Sequence, residues 1–288
     1  MPENKTYKTY KIYKNYKIYK NALPLLTART IKLVRSLADH KGRREAGLFV
    51  AEGSKCVCDT IEAFTPAYLF ATTDWLEAHA GESESAAIRG ALVEPCKKAQ
   101  LRELSSLVAT PPAIAVYRLP EPREIAPELC AHELVLALDR VQDPGNLGTI
   151  VRTADWMGVT AIVASKDTVD LYNPKVVQAT MGSISRVKVA YVENLAEFLA
   201  DAAEAGARIF GTFLDGSDIY SAPLAAAGAL VMGNEGSGIG PDVAATVTDR
   251  LLIPSFPPDR PTGDSLNVAT ATAIALSQFR SRQMKSRN

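Results

Sequence analysis

The chain has 288 residues, 47% of them apolar and 22% charged, enough to bury the cores of two ordinary domains of a soluble globular protein. No apolar run approaches the roughly 20 residues that span a bilayer, and no apolar segment of about 7 to 15 residues follows the N-terminal lysines, so neither a membrane span nor a secretory signal is expected. The zero formal charge conceals an asymmetry: residues 1–21 carry 6 lysines and 1 glutamate, residues 22–122 balance 12 basic against 12 acidic, and residues 123–288 hold 14 against 19. Any nucleic-acid contact therefore has to come from local patches and not from net charge.

In chain order, Tyr7 to Asn21 is a run of five Tyr-Lys-x repeats. A period of three fits neither helix nor strand, and the run offers little aliphatic surface, so residues 1–21 are expected to be a disordered tail. Its lysines and tyrosines also suit phosphate contact and base stacking. Residues 22–122 are expected to form a smaller α/β domain. Ile31, Val34 and Leu37 make a helical stripe, followed by a strand in Gly47–Gly53 and a helix over 55–64. Strands at Ala67–Ala71 and Ala91–Glu94, a helix at Ala99–Leu107 and a strand at Ala113–Tyr117 complete it. Pro120, Pro122 and Pro127 mark a stiff linker, placed at 123–132.

Residues 133–288 alternate more cleanly. Strands are expected at Leu134–Leu138, Ala161–Ala164, Val187–Val192, Ile209–Leu214, Ala229–Met232 and Leu251–Ile253. Helices are expected at Leu147–Met157, Pro174–Met181, Leu195–Ala205 and Ser265–Arg282. Continuous apolar strands separated by helices imply a parallel sheet covered on both faces. Ligands bind beyond the carboxyl ends of such strands, here the loops after Leu138, Leu214, Met232 and Ile253. The scattered Cys56, Cys58, Cys96 and Cys130 form no zinc pattern and read as buried thiols of a reducing cytoplasm. His40, His79 and His132 fall outside the loop motifs and read as surface residues. Gly236-Ser-Gly238-Ile-Gly240 is not a dinucleotide fingerprint, and no P-loop occurs.

Three loops carry the chemistry. Asp139-Arg-Val-Gln-Asp-Pro-Gly-Asn146-Leu-Gly148-Thr-Ile-Val-Arg152-Thr-Ala154 contains the spacing N-x-x-G-x-x-x-R-x-A at a strand end. Leu230-Val-Met-Gly233-Asn234-Glu235-Gly236-Ser-Gly238-Ile239 follows an apolar run, and Ile253-Pro254 precedes Ser265-Leu266-Asn267-Val268-Ala269. Read as residues, Asn146 is a candidate N-cap, and Arg152 is a cation suited to gripping a phosphate. Gly233 and Gly236 permit close backbone approach to a flat ligand. Asp264 or Ser265 is a candidate cap of the last helix. The blander alternative is that Asn146 and Ser265 only cap, and that Arg152 only pairs with an acid such as Glu235.

Together, over residues 133–283, these motifs resemble those of the SpoU (TrmH-type) RNA 2′-O-methyltransferases. Lys41-Gly-Arg-Arg44-Glu-Ala-Gly47 through Gly53 is similar to the opening of the L30e-like substrate-binding domain that often precedes them. The resemblance implies a trefoil knot in the C-terminal domain, S-adenosylmethionine (AdoMet) as cofactor, and transfer of its methyl group to a ribose 2′-hydroxyl. It implies catalytic roles for Asn146, Arg152, Glu235, Ser265 and Asn267. It places Thr212, Gly233, Asn234, Gly236, Ile253 and Leu266 around the cofactor. The expected partners are structured RNA (ribosomal RNA ahead of transfer RNA) and a second copy of the chain, bound through the C-terminal domain; no metal and no membrane are implied. The insertion Phe256–Gly263, with Arg260 at its tip, and Asp264 in place of a frequent Glu depart from the family pattern and bear on the adenine wall. The alternative of another class is a non-catalytic RNA-binding or assembly factor on the same fold.

Overall fold

In a computed structural model, which describes residues 26–257, 263 and 265–285, the chain forms two units. The Tyr-Lys-x tail, Arg260 and Asp264 lie outside the described residues. In chain order the elements are α1 (Ala28–Ser36), α2 (His40–Ala46), β1 (Leu48–Glu52), α3 (Ser54–Thr60), β2 (Pro66–Ala71), α4 (Thr73–Ala78), α5 (Ala80–Ile88), β3 (Leu92–Pro95), α6 (Lys98–Leu104) and β4 (Ala113–Arg118). There follow β5 (Leu134–Leu138), α7 (Pro144–Trp156), β6 (Ala161–Ser165), α8 (Pro174–Thr180), β7 (Lys188–Val192), α9 (Leu195–Glu204), β8 (Ile209–Asp218), β9 (Gly228–Met232), α10 (Pro241–Ala244), β10 (Asp249–Leu252) and α11 (Val268–Lys285).

In the first unit the strands form a mixed sheet in the order β1-β4-β2-β3. Thr27 caps α1 by accepting from the Thr30 N–H, and Val34 and Leu37 point into the core, as their spacing predicts. Helix α2 was not anticipated, because its inward residue is Arg43 and not an apolar one. Arg43 is 2% exposed, and its guanidinium donates to the carbonyls of Leu37 and Ala38 at 2.8 and 3.0 Å, closing the end of α1. Helices α4 and α5 were also missed. His79, expected at the surface, is half-buried and stacked on Trp75, with ring centroids 4.3 Å apart.

The first unit also takes in Tyr172–Ser185, which sequence order places among the elements of the second. Tyr172 joins Phe49, Phe64 and Tyr117 in an aromatic cluster, 4.8 Å from Phe49, and the Cys56 thiol donates to the Val177 carbonyl. Cys56, Cys96 and Cys130 are buried and Cys58 partly so; burial pushes Cys56 and Cys96 up to about 12 and Cys130 to about 11, so these are inert thiols.

The second unit is a wholly parallel six-stranded sheet in the order β10-β8-β9-β5-β6-β7. Every residue of β5, β6 and β9 is buried, which is why these strands read as unbroken apolar runs. The chain runs outward from β5 through β6 to β7 and then returns to the other side of β5. The reversal lies between β5 and β9, where open parallel sheets bind ligands. Strand β8 is longer than predicted: Arg250 pairs with Gly211 but Leu251 pairs with Ser217, so residues 212–216 leave the ladder. Among the described residues no helix is long and apolar enough to cross a membrane.

Candidate functional site

At the reversal, Leu138 pairs with Met232 and the two strands end together, with the Asp139 N–H still donating to the Met232 carbonyl at 2.9 Å. Two loops therefore start side by side. The first opens α7, and its cap is not Asn146 as expected but Asp143, whose carboxylate accepts from the Asn146 N–H at 2.8 Å, with Pro144 at the first helical position. Relieved of capping, the Asn146 side chain reaches sideways. Its Nδ2 donates to Glu235 Oε1 at 3.0 Å, and its Oδ1 accepts from Asn267 Nδ2 at 2.8 Å.

Asn267 also corrects an expectation. Helix α11 begins at Val268, and Asn267, not Ser265, caps it by accepting from the Ala269 and Thr270 N–H groups at 3.0 and 3.2 Å. Its two amide ends thus serve two purposes, capping a helix and gripping Asn146. Glu235 accepts from the backbone N–H groups of Gln142 and Asp143 at 3.3 and 3.2 Å, besides Asn146. Burial would raise its pKa, but the donors from Asn146, its own N–H, Asp143 and Gln142 outweigh that and hold it below the usual carboxylate range. Glu235 and Arg152 are not paired. The Arg152 guanidinium is exposed on α7 with no carboxylate or carbonyl bound to it among the described residues.

The second loop is a tight turn. Asn234 and Gly238 exchange backbone hydrogen bonds at 3.0 Å, while Asn234 Oδ1 accepts from the N–H groups of Gly236 and Ser237. Gly233 is required by the turn itself: a Cβ there would lie 2.3 Å from backbone atoms of Gly238 and Ile239. Besides permitting close approach of a ligand, as expected, the glycine is needed by the chain's own backbone. In the third motif, Leu266 is 50% exposed and Ser265 is exposed with no partner for its hydroxyl among the described residues. Ile253 is half-buried, and Thr212 lies in the stretch of β8 that leaves the ladder, its hydroxyl 3.8 Å from the Met232 sulfur.

Asn146, Glu235, Asn267 and Asn234 are thus brought into one hydrogen-bonded set from three separate motifs, with Gly233 and Gly236 in the turn beside them. Sequence reasoning missed Asp139 and Arg140, which hold the two loops together. Their signal was the abrupt change from the buried run Leu134–Leu138 to two charged residues. A separate cavity of about 490 Å³ beside edge strand β10 holds Arg208 and Arg250, each already neutralised, by Asp249 and Asp215 respectively, and contains none of the predicted site residues. Among the described residues no group of three or more His, Cys, Asp or Glu is placed to hold a metal ion.

Comparison with known proteins converges on one family. Residues 133–277 match the model of the SpoU rRNA Methylase family, and residues 28–115 match that of the MRM3-like substrate binding domain. The 23S rRNA (guanosine(2553)-2'-O)-methyltransferase RlmP of Bacillus subtilis is 35% identical over 173 residues, 59% of this chain and 66% of that protein. The chain spans about two thirds of the length of the curated relatives it matches first. A solved TrmH-family structure from Porphyromonas gingivalis is 37% identical with a TM-score of 0.77, covering 89% of this chain and 98% of that one. An AdoMet-bound rRNA methyltransferase structure from Sinorhizobium meliloti is 30% identical with a TM-score of 0.78, covering 90% and 97%. With all three motifs meeting at the reversal of a parallel sheet and family models matching both units, the chain belongs to the SpoU rRNA methylase family.

Proposed function

We propose that the chain transfers a methyl group from AdoMet to a ribose 2′-hydroxyl of structured RNA, with ribosomal RNA of the 23S type as substrate ahead of transfer RNA. The observation that carries this reading is the Glu235–Asn146–Asn267 chain of hydrogen bonds, which locks three loops at the start of α7, the helix that carries Arg152, exposed and unpaired among the described residues. The site's chemistry fits AdoMet. The loop ends after β8, β9 and β10 offer main-chain groups and the apolar Ile253 and half-exposed Leu266, which suit a flat adenine. Thr212, Gly233, Asn234 and Gly236 would hold the remainder of the cofactor.

AdoMet, when bound, supplies a methyl carbon on a positively charged sulfur. The chain's part is to bring the ribose oxygen into line with that carbon and to take up the proton the hydroxyl loses. Arg152 grips the phosphate of the target nucleotide through a forked guanidinium, which no carboxylate occupies. Asn146, fixed at both ends of its amide, keeps the start of α7 in register with the turn. Ser265 presents a hydroxyl with no partner among the described residues, which would accept a hydrogen bond from the ribose hydroxyl and relay its proton to solvent water. Arginine is a poor base because its guanidinium stays protonated, so its role here is positioning and charge stabilisation.

The same reading includes a trefoil knot, a homodimer and a cytoplasmic location. The knot is supported by strand order: β10 lies at the sheet edge beyond β8, yet α11 packs back on α7, and Arg280 donates to the Met157 carbonyl at 2.6 Å. The dimer is supported by Trp156 and Met284, 87% and 70% exposed at the ends of α7 and α11. In the domain scheme proposed, residues 22–122 grip RNA and 133–288 catalyse.

The test is incubation of the protein with methyl-labelled AdoMet and total RNA from cells lacking its gene, followed by nucleoside analysis. Label in 2′-O-methylnucleosides of 23S-type RNA is the expected result. Label on a base, or AdoMet binding with no transfer to any RNA, would reject the proposed activity, and the second outcome would favour the assembly-factor alternative.

A further inference from the structure

Asp139 and Arg140 stand at the head of the first motif loop, outside the N-x-x-G-x-x-x-R-x-A spacing and without an assigned role, and they tie the ends of three strands together. Asp139 is 4% exposed, and a carboxylate so buried needs partners. One partner is its own neighbour: Arg140 Nε and Nη2 donate to Asp139 Oδ1 and Oδ2 at 3.0 and 3.1 Å. Side chains of successive residues in extended chain point apart. Here they meet because Arg140 adopts φ of 58°, a left-handed conformation that a residue with a Cβ seldom takes.

The pair is then tied to three further segments. Asp139 Oδ2 accepts from the Gly240 N–H at 2.6 Å, and Arg140 Nη2 donates to the Gly238 carbonyl at 3.4 Å. The Arg140 carbonyl accepts from Asn234 Nδ2 at 2.8 Å, while its N–H donates to Ser165 Oγ, at the end of β6, at 2.9 Å. A Cβ on Gly240 would come within 2.8 Å of Arg140 Nη2 and 3.2 Å of Asp139 Oδ2, so the loop backbone rests directly on the pair. The turn after β9 is therefore held at Asn234, at Gly238 and at Gly240.

We propose that Asp139 and Arg140 are positioning residues for the methyl transfer, a clamp that sets the 233–240 loop and through it the affinity for AdoMet. The inference rests on the function proposed above. The turn that the clamp holds also carries Glu235, whose carboxylate orients Asn146 and the start of α7. Without the clamp, the loop keeps its internal Asn234–Gly238 bonds but loses its register against β5, so the cofactor wall shifts while the sheet below stays intact.

Arg140→Gly is the informative variant, because glycine adopts the left-handed conformation without strain while the guanidinium is lost. Calorimetry and steady-state kinetics on the full-length chain are expected to show Kd and KM for AdoMet raised about tenfold, the scale on which removing a group that orients a site's ligands acts. The kcat at saturating AdoMet should fall less than about threefold, the split that separates lost binding from lost transition-state contacts. Arg140→Lys keeps the charge but not the fork, and should recover part of the affinity. If Arg140→Gly does not fold, Arg140→Asn, which also tolerates the left-handed region, provides the same comparison. Folded variants with wild-type Kd and KM overturn the clamp alone. A wild-type protein that neither binds AdoMet nor methylates RNA overturns the underlying function, and the clamp with it.

Discussion

Two buried carboxylates end two strands, one in each sheet, and they do different things. Glu52 closes β1 at 5% exposure and, among the described residues, accepts only from neutral donors, the hydroxyls of Ser105 and Ser106 and the Ser106 N–H. Asp139 follows β5 at 4% exposure and is held by a guanidinium and a glycine N–H. The first fastens the turn after α6. The second fastens a glycine-rich loop that is hydrogen-bonded through Glu235 and Asn146 to the segments carrying Arg152 and Ser265, both exposed and without a partner among the described residues. Burial satisfies the same requirement in both, since a buried charge must be hydrogen-bonded. What separates a structural peg from part of a site is what its donors are attached to, which residue type alone does not reveal.

The comparison breaks most sharply at Arg152, the cation the β5–β9 end leaves open. Arg152→Ala should lower the rate of methyl transfer by about 100-fold or more, as for loss of one preorganised charge-stabilising donor, with AdoMet affinity unchanged by calorimetry. Retention of most activity would remove Arg152 from the mechanism.

Gly233→Val comes next. Its side chain would strike the Gly238 and Ile239 backbone, so AdoMet binding should be lost and stability should fall by about 1–3 kcal/mol, measured by chemical denaturation. A stable protein that loses only AdoMet would restore the simpler view that this glycine serves the ligand.

Glu52→Ala should do the reverse of Arg152→Ala. Three donors lose their acceptor, costing about 1–3 kcal/mol of stability, while AdoMet affinity stays at the wild-type value. A fall in AdoMet affinity equal to that in Arg140→Gly would erase the distinction between peg and clamp.

The smallest effect concerns acid. Glu235 is held below the ordinary glutamate value, so its contribution is fully present above that value and is lost as pH falls through the lowered folded value. AdoMet affinity should therefore stay level from about pH 7 to about pH 5, above the ordinary value near 4.3. A titration in which affinity declines above that ordinary range, and which Glu235→Gln abolishes, would show that the carboxylate is not stabilised as its donors imply.

Much of the second unit was legible because its signal is local. Leu134–Leu138 is buried on both faces, and a strand in that environment has to be apolar at every position. The three motifs were likewise visible as residues around Asn146, Glu235 and Asn267, since each sits at a strand or helix end where sequence punctuation is strong. The caps were misplaced for a physical reason: Asp143 and Asn146, or Ser265 and Asn267, are all competent caps, and only the backbone decides which one takes the role.

What the sequence determined by itself was the alternation of elements, the parallel sheet and the residue types at its loop ends, because these follow from hydrophobic period and turn chemistry. Tertiary structure alone decided the rest. It set Tyr172 against Phe49 in the first unit, buried Arg43 on a helix that no apolar stripe announces, and joined Asn146 to Glu235 and Asn267. It also folded Arg140 back on Asp139 through a left-handed turn that no propensity for arginine predicts. Those contacts join residues far apart in the chain or depend on one unusual backbone angle, and neither leaves a periodic trace in the sequence.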